Sequence, residues 1–432
     1  MAGATHSPSQ DPPAGAAPAI DRPTDAPSPG GIQTFRSLRH RNYRLLWFGT
    51  LFSSSGQWIQ QVTLGWLAYD MTGSGAILGA VNGLRSLPLL FLGPFGGVAA
   101  DRFDKKRLMF STQMFLMVTA AIFATLIISG RLEVWHIFVF SILTGIGWAF
   151  NMPVRQSIVP NVVPRADMMN AMALNSAGFN VTRIVGPAMA GLMIAKIGAG
   201  ENFYIQAAAY LGVAFMVMQL RLPDIPRSNR GSVRASLVEG ARYVAQHPTL
   251  RMQMALALVP VVIALPYTAL LPILAKDTLG KGAGGFGILM SAPGLGAVVA
   301  TLVLASLSNV KRKGLLLLGA VFTLGVSLIL VALSRSFILT TGLLVIVGAA
   351  QMAYMTTNQT VLQLSTPDEY RGRVMGIYML NQGLLPFGSL FAGVMADVFT
   401  APTAIAVMGA TVAALAVLFF LRSSNIRDLT AV

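Results

Sequence analysis

Residues 97–107 read Gly97-Val98-Ala99-Ala100-Asp101-Arg102-Phe103-Asp104-Lys105-Lys106-Arg107. An apolar run that begins near residue 75 ends here, within a few positions, in two acids and four bases. About 20 apolar residues cross the core of a bilayer, so a change this abrupt marks a boundary between membrane and water. Reading outward on that criterion gives twelve spans, near 45–69, 75–100, 108–129, 134–154, 168–195, 202–220, 252–275, 285–308, 315–334, 338–360, 374–397 and 402–421. The first, fifth and seventh carry enough polar residues or prolines to blur their edges. The expected fold class is an all-α polytopic membrane protein, with twelve helices in two six-helix bundles. Composition agrees. Of 432 residues, 54% are hydrophobic and 11% charged, against about 25% charged in a soluble chain; mean hydropathy is +0.65. The chain has no cysteine, which excludes disulfide scaffolds, thiolate metal centres and cysteine nucleophiles.

The net charge is +15, from 31 bases against 16 acids. In a soluble protein that balance points to nucleic acid; here the positions decide. With the N-terminus in the cytoplasm, 24 of the 31 bases fall on the cytoplasmic side, including Arg155 and Arg165 after the fourth span. Arg131, Lys196, Lys276, Lys281 and Arg335 fall outside, and Arg85 and Arg183 lie within spans. This asymmetry orients the chain with both termini cytoplasmic and removes nucleic acid as a partner. The bilayer is the partner instead.

Residues 1–34 hold Pro, Ala, Gly, Ser and Asp without an apolar run, and read as a disordered cytoplasmic tail. They lack the apolar core of a signal peptide. A first bundle follows over 35–221, a cytoplasmic loop over 222–249, a second bundle over 250–422 and a short cytoplasmic tail over 423–432. Within the loop, Val233, Leu237, Val238 and Ala241 share one helical face, which suits a short interfacial helix or a solvated linker. The bundles repeat each other weakly. Pro164 corresponds to Pro367, Gly186 and Gly191 to Gly388 and Gly393, and Lys105-Lys106-Arg107 to Lys311-Arg312-Lys313. Near-equal offsets at matching places argue for duplication, the plan of an alternating-access carrier.

The segment from Gly97 to Arg107 resembles the G-x-x-A-D-R-x-G-R-R/K signature (motif A) of the major facilitator superfamily. Gly97 would admit a neighbouring helix, and Asp101 ends its helix at the cytoplasmic face. The resemblance implies that Asp101, with Arg102, Lys105 and Lys106, latches that face against the eleventh span near Arg371 and Gly372. Asp104 stands where the pattern has Gly, which implies a looser turn. In the fifth span, Gly186-Pro187-Ala188-Met189-Ala190-Gly191 is similar to the G-P-x-x-G-G pattern (motif C) of proton-antiporting exporters, with Ala190 in place of one glycine. Pro187 would kink the span; plain helix packing is the other reading of such glycines. The stretches from Asn151 to Arg165, Asn170 to Gly191, Pro367 to Val374 and Tyr69 to Ser74 resemble the bacterial branch that holds the enterobactin exporter and macrolide-type effluxers. That resemblance runs from Phe35 to Arg422. It implies a proton-coupled carrier of the bacterial inner membrane exporting small amphipathic or anionic compounds such as siderophores or drugs, working as a monomer and driven by the proton gradient.

Polar groups inside spans are costly unless a cavity or partner receives them. The first span sets Ser53, Gln57, Gln60 and Gln61 on one stripe. Asn82 with Arg85, and Asn180 with Arg183, lie three apart on the second and fifth spans. Arg85 stands about 15 Å from its span's outer end, at about 1.5 Å per residue, too deep to snorkel easily. Tyr267 in the seventh span, Tyr354 and Asn358 in the tenth, and Asn381 in the eleventh complete the expected substrate cavity; each Asn or Gln is equally suited to an interhelical bond. No acid occupies the middle of a span. Asp70, at the outer end of the first, is the candidate proton site or else an interfacial cap. The four histidines are scattered, and no metal spacing, nucleophile with a base, phosphate loop or cofactor motif is evident. The alternatives to an exporter are an importer or facilitator, or a membrane receptor or scaffold that moves nothing.

Overall fold

The computed structural model describes residues 33–222, 233–306 and 312–422. The tail through residue 32, the 223–232 part of the central loop, Lys311 and the C-terminal tail lie outside the described residues. Almost all of the rest is helix: α1 Arg41–Thr72, α2 Gly75–Arg102, α3 Lys105–Ile128, α4 Val134–Val162, α5 Met168–Ile197, α6 Ala199–Met218, α7 Val233–Gln246, α8 Pro248–Val259, α9 Tyr267–Ile273, α10 Ala283–Ser306, α11 Lys313–Leu333, α12 Phe337–Leu364, α13 Asp368–Asn381, α14 Leu385–Val398 and α15 Ala401–Arg422.

Among the described residues, ten helical runs are long and apolar enough to cross a membrane. Of the twelve spans expected, α1 and α6 have the length, at 32 and 20 residues, but fall short in hydropathy. Their polar residues are the reason, and two pairs of these meet between the helices. Gln206 Nε2 donates to Gln60 Oε1 at 2.9 Å, and Asn202 Nδ2 donates to Thr63 Oγ1 at 2.7 Å, with all four side chains buried between the two helices. A bilayer tolerates such groups when they satisfy each other.

Helices α1 to α6 pack on one another, chiefly α1 on α5 and α6, α2 on α4, and α3 on α6; α8 to α15 do likewise, with α10 on α12 and α11 on α12 and α15. The two bundles meet where α2 crosses α14 and α5 crosses α10. Both crossings are glycine contacts. A Cβ on Gly191 would stand 2.5 Å from the carbonyl oxygen of Ala283 and 2.9 Å from the Cα of Gly287; a Cβ on Gly393 would collide with the Gly75 carbonyl. Residues 283 and 75 each begin their helix, so the repeated glycines make the same contact in both halves. We call the face carrying the α1–α2 turn the outer face, following the charge asymmetry. Both glycine contacts lie toward it. Gly97 on α2 and Gly372 on α13, by contrast, face open space, with nothing within 4 Å of a Cβ.

This corrects the expectation that Gly97 admits a neighbour. Its predecessor Gly96 does so, where a Cβ would strike the Ala149 carbonyl oxygen. Pro153 has no N–H to offer the carbonyl four residues earlier, which is that of Ala149. Pro187 likewise frees the Arg183 carbonyl, and a Cβ on Gly294 of α10 would lie 3.2 Å from it. Each freed carbonyl is met by a glycine, whose Cα–H groups suit weak hydrogen bonds across a helix interface.

The seventh span is broken into α8, a π-helical stretch Pro260–Ala264, α9 and a second π-helical stretch Leu274–Thr278. The eleventh is interrupted by a 3-10 turn, Gln382–Leu384, between α13 and α14. The central loop contains a helix, α7, docked on α13. Glu239 pairs with Arg373 at 2.9 Å, and Tyr243 stacks on Tyr370 at 4.2 Å. Among its described side chains Gly240 and Val244 are buried and Val238 and Ala241 of the expected apolar face are exposed, while Val233 and Leu237 of that face lie outside the described side chains.

Candidate functional site

Arg85 lies in the middle of α2, as its position in sequence implies. Arg155 is a second interior arginine, which the loop-by-loop reading had assigned to the cytoplasmic collar. Pro153 and Pro160 read as loop punctuation, yet α4 continues through both to Val162. Arg155 Nη2 donates to Ser53 Oγ on α1 at 2.6 Å and to Asn151 Oδ1 at 2.8 Å, and the guanidinium lies 5.7 Å from the centre of the Trp148 ring. Asn151 Nδ2 donates to Thr112 Oγ1 on α3 at 2.9 Å. The Arg155 Nε is buried and donates to nothing. Tyr210 on α6, fully buried, is within electrostatic reach of both Arg85 and Arg155.

Arg183 on α5 stands in the same relation to Tyr267 on α9, across the boundary between bundles. The Tyr267 hydroxyl is buried without a hydrogen-bond partner. The other expected cavity residues divide. Gln57 and Gln61 are half-buried on α1. Asn82 and Asn180 return their amides to carbonyls of their own helices, Leu78 at 3.0 Å and Ser176 at 2.9 Å. Tyr354 donates to the Ala257 carbonyl at 3.1 Å and so ties α12 to α8. Asn358 is buried beside Tyr378, and Asn381 keeps an unpartnered Nδ2. Among the described residues no carboxylate joins these groups; Asp70, Asp277 and Asp397 all stand at outer helix ends.

There the three acids span the bundles. Gly73, at φ 61° in the left-handed region, ends α1, and Ser74 caps α2. Asp397, from the last turn of α14, reaches that cap: Oδ1 accepts from Gly75 N at 2.5 Å, and Oδ2 accepts from Ala76 N at 2.9 Å and from Ser74 Oγ at 2.7 Å. A carboxylate on the free N–H groups of a helix start contributes about 1 kcal/mol. Tyr69 donates to Asp277. Asp70 pairs with Lys276 at 2.6 Å, with side chains 52% and 41% exposed, so that pair contributes about 1 kcal/mol at most. The glycine contacts and the Asp397 cap therefore carry more of this closure than the ion pair does. Above them is a pocket of about 520 Å³ lined by Tyr69, Asp277, Arg335 and Asp397 among others.

At the opposite face, the Asp101 side chain lies outside what the structure describes. Arg102 is exposed. Lys105 Nζ donates to the Ser157 carbonyl at 3.2 Å and Lys106 Nζ to the Leu220 carbonyl at 2.8 Å, so both fasten helix ends within the first bundle. Asp104 does not loosen the turn as expected. Its Oδ1 accepts from Arg107 N at 2.6 Å and caps α3. Gly186 packs inside the first bundle against Trp58, Pro187 lies within α5, and Gly191 makes the crossing to α10. Sequence reading missed Arg155, Tyr210 and the Asp397 cap. For the first two a signal existed, since Asn151 and Gln206 each precede an interior residue by one helical turn.

Two helical bundles, paired glycine crossings and a cationic interior define a polytopic carrier of the major facilitator fold. The chain belongs to the Transmembrane secretion effector family, matched over residues 32–431, within the efflux branch of that superfamily. It is a membrane transporter of small molecules, not an enzyme. It is 29% identical to the Staphyloferrin A transporter of Staphylococcus aureus, over 85% of this chain and 94% of that protein. It is 28% identical to the multidrug efflux pump Tap of Mycolicibacterium fortuitum, over 82% and 88%, and 22% identical to Macrolide efflux protein A of Streptococcus pyogenes, over 83% and 91%. The nucleoside transporter NupG shares the fold at a TM-score of 0.69 and 15% identity, over 88% of this chain and 98% of that one. A bacterial homologue of the human lysosomal transporter Spinster does so at 0.69 and 16%, over 90% and 96%.

Proposed function

We propose that the chain is a proton-coupled exporter of small amphipathic or anionic compounds, siderophore or drug, working as a monomer by alternating access in the bacterial inner membrane. It crosses twelve times with both termini in the cytoplasm. The observation that carries this reading is an interior holding Arg85, Arg155 and Arg183 with no carboxylate among the described residues, beneath a cross-bundle closure at the outer face. Relatives named for a siderophore and for drugs support the substrate range. The conformation described is the outward-closed end of the cycle. At the other end, Asp101 on α2 would close the cytoplasmic face against the start of α13. With no acid in mid-span, Asp70 is the acid set where outside protons arrive, and a proton on it would dissolve its pair with Lys276. The test is a strain lacking its own effluxers, expressing this chain, with cell-associated staphyloferrin A and a macrolide measured. Lower accumulation of either, restored by a protonophore, is expected; accumulation equal to the empty strain for both, and for a wider panel of siderophores and antibiotics, would sink the reading.

A further inference from the structure

Five ion pairs occur among the described residues, and none involves an interior arginine. Three arginines near the inner helix ends have carboxylates beside them, Arg36 with Asp167 at 2.8 Å, Arg371 with Asp368 at 2.5 Å and Arg373 with Glu239 at 2.9 Å. Arg155 is held differently. Ser53, Asn151 and Trp148 fix the direction of its guanidinium, and Thr112 fixes Asn151, but all four are neutral. They position the charge without cancelling it. Nε is left buried and unpartnered. A cation kept uncompensated at membrane depth costs several kcal/mol, so such groups mark substrate or ion pathways.

We infer that Arg155, aimed by Ser53, Asn151 and Trp148, and Arg85 on the adjoining α2 form one acid-binding subsite, that Arg183 forms a second with Tyr267, whose hydroxyl is buried without a partner, and that the transported compound carries at least two acid groups. This rests on the reading of the chain as a carrier and narrows its substrate class. The first subsite lies wholly within the first bundle. The second joins α5 to α9 across the bundle boundary, so a ligand touching both senses the rocking of one bundle against the other. Arginine suits this task because its planar fork grips carboxylates in pairs of hydrogen bonds and stays charged when desolvated. A cationic amphiphile would meet three like charges and no counter-charge.

The test uses the full chain purified in detergent, with citrate as the polyacid probe, acetate as the single acid and tetraphenylphosphonium as the cation. Citrate is expected to bind at least tenfold more tightly than acetate, and Arg155→Gln and Arg85→Gln are each expected to weaken it tenfold or more, the range for a lost charge-assisted bond. Arg155→Lys should recover part of that loss. Melting curves show whether each variant is folded; Arg85→Gln, which removes no described hydrogen bond, keeps the test open if Arg155→Gln fails to fold. Absence of citrate binding, or unchanged affinity in the folded variants, overturns the inference. So does tetraphenylphosphonium binding more tightly than citrate to the unaltered chain, and if the chain exports that cation from vesicles the exporter reading survives. Arginine-dependent citrate binding in a chain that moves nothing would sustain the two subsites and sink the exporter reading.

Discussion

At Gly96 an added methyl group would run into the Ala149 carbonyl, whereas at Gly97 it would meet nothing within 4 Å. Gly96→Val should therefore lower the melting temperature by overpacking, at about 1–3 kcal/mol, while Gly97→Val should stay within about 0.5 kcal/mol. Detergent melts compare the two, and equal losses would contradict the placement of the contact. The Asp104 cap makes a similar contrast. Asp104→Ala should destabilise by about 1 kcal/mol, but Asp104→Gly, the residue of the family pattern, by only a few tenths. Arg85 and Arg183 were legible in sequence because an isolated charge deep in an apolar run has one reading. Arg155 was not, because two prolines made its surroundings look like a loop, and the helix that contains them is decided by packing against α2.

Between elements, the partners of the outer acids lie far along the chain. Asp397 is more than 300 residues from the helix start it caps, so sequence could place it at an outer end but could not supply the partner. Removing it tests the closure. In the Asp397→Ala variant, spin labels on Met71→Cys and Phe399→Cys should show a longer mean distance, as the α1–α2 turn and the end of α14 part at the outer face. The absence of native cysteine makes that labelling clean. An unchanged distance distribution would mean that the cap does not hold the bundles together. Gly287→Leu should act more strongly, because the Cα of Gly191 would lie 2.9 Å from a Cβ there, with no flexible side chain to yield. It should part α5 from α10, or abolish folding if they cannot part.

Over the whole molecule, duplication was legible through Gly191 and Gly393 because each half reuses one contact. The prolines of the seventh span show in sequence only as soft edges; the break into α8, α9 and two π-helical stretches comes from the structure. The polarity of α1 was readable as a cavity stripe, yet Gln60 of that stripe is paired with Gln206, since which face of a helix meets a neighbour is settled only by packing. The central claim is export driven by the proton gradient. Its most direct measurement is dissipation of an imposed pH gradient in inverted membrane vesicles, acid inside, as a siderophore or macrolide is added. The account predicts proton loss triggered by the compound together with its uptake, both strongly reduced by Arg85→Gln, and no uptake once a protonophore has collapsed the gradient. Uptake that persists without any ion gradient would contradict it.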